Sequence, residues 1–487
     1  MDKRWILLID NYSGVEKNAV NMLSGVIAGY LNYVLPVKFL SETDSEELSD
    51  NNIIVVGNVS SNKVLSECNK KGLLDVPEKE EAYSIYVGES TFNEDAQMIL
   101  IAGYDEKGIL YGCMDLCYKY FGDIVNKNSN LWKTGLFDRP LDRKLNGWKT
   151  SASPAIKTRA LWTWGHVIYD YRNYLSNMAR LRLNEVVIWN DRMPINAKDV
   201  VDYAHSLGIK VIWGFSWGWG TLCEKILNDY NEQNLLKIKD IVFDTFENEC
   251  ADTGCDGIYF QSFTELVIDY IKGRYVADMV TELVNCIAGA LLEKYPALHI
   301  QFGLHATSVK NHLEFLKNVD KRVHIVWEDC GSFPYDYWPE NVENFEETYA
   351  FNNKLLTLRG EDEKFGAVLK GMLKLDWTRF EHFNDSYVLG ERTNTFMEER
   401  LMKKNKVWKY IQGDWLNNTE YARKIISQIA EKTDDCIIEA LVEDAMFEKQ
   451  IAFPVAVFAE LLWNPEKSSN EIISTVSKYP CVTFANI

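Results

Sequence analysis

Carboxylates, tryptophans and histidines recur in this chain wherever short apolar runs end. The clearest run is Gly254-Cys-Asp-Gly-Ile-Tyr-Phe-Gln-Ser-Phe-Thr-Glu265. Turn residues open it, aromatic and apolar residues fill it, and Glu265 closes it just before a helical pattern. A buried strand that delivers an acid to the carboxyl end of a parallel sheet has this form. On a regular strand Tyr259, Gln261, Phe263 and Glu265 share one face, because side chains alternate. The alternative is that Glu265 begins the next helix, where an acid suits the N-terminus. Other run ends carry the same residue types. Trp162, Trp164 and His166 follow one run, Asn190 and Asp191 a second, and Trp213, Trp217 and Trp219 a third. His305, then Trp327, Glu328 and Asp329, then Asp376 and Trp377 stand after later runs.

That set suits one chemistry. Indoles stack on sugar faces, and breaking a glycosidic bond needs two carboxyl groups. One protonates the leaving oxygen, and the other attacks the anomeric carbon or activates water. Glu265 is the expected acid, since aromatic neighbours would desolvate it and keep it protonated. Glu328, Asp329 and Asp376 compete for the second role. Glu328 and Asp329 are adjacent, so on a regular strand only one of them enters the site. Structural roles stand beside these: Asp329 as a turn residue, Asp376 paired with Lys374 or Arg379, and Asp191 paired with Arg192 or capping a helix. His166 and His305 would then be satisfied rim residues.

The elements that must position these residues alternate strand and helix. Ile156–Trp164, Asn184–Asn190, Ile209–Ser216, the Glu265 stretch, Ala297–Gly303, Arg322–Glu328 and Gly371–Trp377 read as strands, with an eighth expected between His382 and Gly390. Helical patterns separate them, among them Asp170–Leu181, Ala197–Leu207 and Val276–Lys294. Such repetition predicts an α/β chain with a closed (β/α)8 TIM-type barrel over 156–395. Residues 1–125 read as a small α/β domain and 126–155 as a connector. Residues 396–487 read as a C-terminal helical extension, with helices expected at Thr419–Lys432, Cys436–Lys449 and Ala452–Trp463.

Composition narrows the class. With 487 residues the chain can hold two or three domains. A net charge of −19 argues against nucleic acid and anionic membranes as partners. The first apolar run is too short for a signal-peptide core, and the ten cysteines show no CxxC spacing, which together predict a cytoplasmic protein with reduced thiols. No cofactor or metal is expected, and the oligomeric state is open, a homodimer being compatible.

Two resemblances follow from the segments. Ile53-Ile-Val-Val-Gly57, Ala82-Tyr-Ser-Ile-Tyr-Val87, Ile99-Leu-Ile-Ala-Gly-Tyr-Asp105 and Gly108-Ile-Leu-Tyr-Gly112 together resemble the non-catalytic domain that precedes the barrel in β-hexosaminidases and α-glucuronidases. Arg159-Ala-Leu-Trp-Thr-Trp and Asn177–Asn184 resemble the first barrel units of such exo-acting enzymes. The resemblance nominates Arg159 as a contact to the terminal sugar. It also implies Glu265 as general acid, with Glu328 or Asp329 and Asp376 serving water. Thr264 and Leu266 depart from the arginine and proline that flank the α-glucuronidase acid. The Asp-Glu pair of hexosaminidases is absent, because Thr264 precedes Glu265. The expectation is an exo-acting glycosidase, with a uronic acid or amino sugar as the terminal residue. A non-catalytic carbohydrate-binding barrel and a metal-dependent hydrolase using His166 and His305 are the alternatives.

Overall fold

The computed structural model describes residues 3–127, 140–215, 231–261, 264, 268–305, 308–328, 345–360, 363–372, 385–442 and 447–485. The amino-terminal part is a six-stranded sheet built on runs of β-branched and aliphatic residues. Its spatial order is Val37–Phe39, Trp5–Ile9, Asn52–Asn58, Gln97–Gly103, Tyr83–Glu89, Trp148–Ala152. The last strand corrects the reading of 126–155 as a mere connector. It pairs antiparallel with Tyr83–Val87 and completes the sheet. Helices Gly14–Ala28 and Glu106–Asp115 cover one face; Asp105 caps the second, its side chain accepting from Gly108 N at 2.8 Å.

Eight parallel strands close a barrel, as the alternation predicts. In barrel order they are Thr158–Trp164, Glu185–Trp189, Lys210–Gly214, Gly257–Gln261, His299–Leu304, His324–Trp327, Phe365–Leu369 and Cys436–Leu441. The first six match the predicted runs, the fifth extending one residue beyond its run to Leu304. The seventh is Phe365–Leu369, not Gly371–Trp377, whose residues from 373 lie outside the described ones. The eighth is Cys436–Leu441, not a segment between His382 and Gly390. It pairs with Thr158–Trp162 and with Phe365–Leu369, so the barrel extends past residue 395 into the stretch expected to be a helical extension. The helix expected at Cys436–Lys449 is therefore a strand at its start. One helix of 37 residues, Asn394–Ala430, links strands seven and eight, and Phe453–Trp463 follows the eighth.

Alternation decides what enters the barrel. Trp162, Trp164, Val187, Trp189, Ile212, Tyr259, Val326, Val368 and Leu441 pack together inside it. The intervening side chains face the surrounding helices and join the larger core.

The sheet domain is fixed to the bottom of the barrel by a buried ionic junction. Arg159 and Arg182 both lie over the Trp463 ring, at 5.3 and 4.6 Å from its centroid. Arg159 pairs with Glu81, which also takes Lys107 at 3.0 Å and Asn184 at 2.9 Å. Arg182 pairs with Glu460 and with Asp115 at 3.2 Å. Burial alone would raise the Glu81 carboxyl, but Arg159, Lys107 and Asn184 bring it down to about 2. Glu81 and Arg182 both hold left-handed backbone, φ 65° and 62°. Each costs on the order of 1 kcal/mol, which the junction must offset.

Candidate active site

Tyr259 rises from the middle of the fourth strand, and Glu328 directly follows the sixth, where its carboxylate turns into the barrel. The phenol of Tyr259 donates to Glu328 Oε1. His305 Nε2, one residue past the fifth strand, lies 2.6 Å from the other carboxylate oxygen. Lys370 Nζ, one residue past the seventh strand, lies 3.8 Å from that oxygen. Three strands thus aim a phenol, an imidazole and an ammonium at one carboxylate that is only 2% exposed. Gly303 makes the meeting sterically open, since a Cβ there would collide with Glu328 Oε1 and the Tyr259 hydroxyl.

The electrostatics follow. Burial by itself would raise the Glu328 carboxyl, but His305, Lys370 and the Tyr259 hydrogen bond outweigh it and hold the group below its ordinary range. Glu328 is therefore an anion at neutral pH. The same carboxylate and burial push the Tyr259 phenol well up, so Tyr259 remains a donor.

Buried indoles pack beside this group. Trp162 lies 5.0 Å from Trp164, edge to face, and 6.2 Å from Trp189, stacked at 28°. Tyr259 packs edge-on against Trp162 and Trp189 at 6.0 and 6.3 Å. Beside them Asn190 accepts from the Tyr387 hydroxyl, and Gly165 leaves the room this pair needs.

Of the residues nominated by sequence, Trp162, Trp164, His305 and Glu328 come together here. Asn190 stands on the adjoining rim, with half-buried Asp191 beside it and exposed His166 beyond Trp164, 6.5 Å from its ring. Three nominations are corrected. Arg159 begins its strand, at the opposite end of the barrel, and faces outward, where it is consumed by Glu81. Trp213 and Trp327 occupy outward positions: Trp213 Nε1 donates to Thr253 Oγ1 at 3.1 Å, and Trp327 packs on Phe351 at 5.1 Å. Alternation by one residue decides each case. Glu265, Asp329, Asp376, Trp217, Trp219 and Trp377 lie outside the described residues, as does the side chain of Gln261.

Sequence reasoning passed over Trp189, Tyr259 as a partner of Glu328, Lys370 and Glu439. Trp189 and Tyr259 were readable, since each alternates onto the face shared with a nominated neighbour. Among the described residues no three His, Cys, Asp or Glu side chains are grouped to hold a metal ion. No described helix is long and apolar enough to cross a membrane.

No family model matches the chain, and no curated protein matches it. Solved structures do. The chain is similar to CpGH84D, at 13% identity and a TM-score of 0.46, over 88% of this chain and 66% of that one. It is similar to a beta-N-acetylhexosaminidase, at 10% identity and a TM-score of 0.45, over 82% and 87%. It is also similar to a GH18 chitinase from Pseudoalteromonas aurantia, at 12% identity and a TM-score of 0.34, over 58% and 94%. The chain thus spans 66% of the length of CpGH84D. These neighbours are glycoside hydrolases, and at 10–13% identity the likeness is one of fold alone.

Proposed function

We propose that this protein is an exo-acting glycoside hydrolase that removes a terminal sugar by paired-carboxylate chemistry. The observation that carries the reading is the buried anion of Glu328 at the carboxyl end of the barrel, held by Tyr259, His305 and Lys370 beside a wall of indoles. An anion held there can attack an anomeric carbon, activate water or stabilise an oxocarbenium-like transition state. Trp162, Trp164 and Trp189 supply flat apolar faces for a sugar ring. Glu265, four residues past the fourth strand in the sequence, is the proposed proton donor, and Asp329 and Asp376 are the other carboxylates proposed to serve water. A uronic acid or amino sugar is the proposed terminal residue; the Lys370 ammonium suits the carboxylate of a uronide. A panel of nitrophenyl hexosaminides, glucuronides and neutral hexosides tests the reading. Release of nitrophenol by the wild type, abolished in Glu328→Gln, supports it, whereas sugar binding without any release points to a binding protein.

A further inference from the structure

Among the described residues, three glutamates project into the barrel, and the protein treats them unequally. Glu328 has its phenol, imidazole and ammonium. Glu185, at the bottom of the second strand, accepts from Gln301 Nε2 at 2.7 Å and has His299 Nδ1 at 3.6 Å. Burial would raise it, but His299, Lys210 and Gln301 bring it below its ordinary range. Glu439, in the middle of the eighth strand, has no such set. It shares the inward face of Leu441, is 0% exposed, and among the described residues neither carboxyl oxygen has a hydrogen-bond partner. Burial, then the like charges of Glu185 and Glu328, push its carboxyl well above the ordinary range. The Tyr259 phenol senses both Glu328 and Glu439.

A barrel interior needs only branched aliphatic side chains at such a position. A buried carboxyl without partners is costly as a neutral group and far more so as an anion. Two charged glutamates with their own cations leave the third to carry the proton.

We propose that Glu439 is a positioning residue for Glu328: a carboxylic acid kept neutral inside the barrel so that Glu328 alone carries charge toward the mouth. As a neutral acid it leaves the Tyr259 proton committed to Glu328. As an anion it would repel Glu328. The functional value of this arrangement rests on Glu328 being the working carboxylate of the proposed hydrolase. The protonation itself does not.

The test uses the full chain and no substrate. A glutamate whose folded form holds its proton more tightly than its unfolded form makes stability fall as pH rises through that window. Glu439→Gln is neutral at every pH and loses this dependence. Between about pH 5 and about pH 8 the melting temperature of Glu439→Gln should therefore rise relative to wild type. Parallel profiles overturn the proposal. If Glu439→Gln does not fold, the wild type decides. Protein labelled with 13C at the glutamate carboxyl should show one resonance at the protonated position at neutral pH, and its absence overturns the proposal. In Glu328→Gln one repelling charge is gone, so that resonance should titrate at lower pH; an unmoved titration refutes the coupling to Glu328. A failed glycosidase screen would sink the proposed function and leave these three readouts intact.

Discussion

Removing the charge of His305 probes how Glu328 is kept ionised. A unit charge at the 2.6 Å separation of His305 and Glu328 is worth roughly 6 kcal/mol at an effective dielectric of ~20, and Lys370 at 3.8 Å roughly 4 kcal/mol. Opposing them, each buried ion loses several kcal/mol of hydration. His305 is thus the larger of two cationic contributions that together exceed the desolvation cost by a modest margin. In His305→Gln, Lys370 and the Tyr259 hydrogen bond survive, so the carboxylate loses part, not all, of what holds it ionised. The Glu328 carboxyl should then titrate at higher pH than in the wild type. The sign is fixed by the direction of the wild-type shift. A carboxylate depressed in the folded state contributes stability above its unfolded value and loses it as pH falls through the folded value. With the depression weakened, protonation begins at higher pH. The assay is the pH dependence of kcat/KM on whichever nitrophenyl glycoside proves active, with circular dichroism to confirm folding. The acid limb should move to higher pH. A folded His305→Gln protein whose acid limb stays put refutes the electrostatic account of the site.

Two other substitutions test geometry. Gly303→Ala inserts a methyl group where the Glu328 carboxylate and the Tyr259 hydroxyl meet, so activity should fall at least roughly tenfold, with overpacking costing about 1–3 kcal/mol in denaturant titration. Undiminished activity would mean that the carboxylate position does not matter. Glu81→Ala strands the fully buried Arg159 and should destabilise the chain by about 3–5 kcal/mol, measured by urea unfolding, while leaving the site chemistry of any folded fraction unchanged. A loss under about 1 kcal/mol would show the junction to be dispensable.

The sequence was most legible where local pattern and tertiary role agree. Asn52–Asn58, Gln97–Gly103 and the first six barrel strands are short apolar runs closed by turn residues, and each became a strand. The seventh strand, Phe365–Leu369, was displaced by Gly371–Trp377, whose run ends on Asp376 and Trp377. The eighth, Cys-Ile-Ile-Glu-Ala-Leu, contains Glu, Ala and Leu, which favour helix in isolation, and pairing on both edges overrode that preference. Misreading it hid Glu439, whose inward position exists only if residues 437, 439 and 441 alternate on a strand. The site divided along similar lines. Glu328 and His305 were found because they stand at run ends. Arg159, Trp213 and Trp327 misled because proximity to a barrel end says nothing about which face a side chain takes. Lys370 was invisible while its strand was misplaced.

The central claim is that the Glu328 carboxylate performs glycosidic chemistry. The most direct measurement compares wild type with Glu328→Gln on the nitrophenyl glycoside that the wild type turns over fastest, both shown to be folded at the assay temperature. The account predicts that kcat falls by roughly a thousandfold or more while the fold is kept. Turnover by Glu328→Gln close to that of the wild type would contradict it.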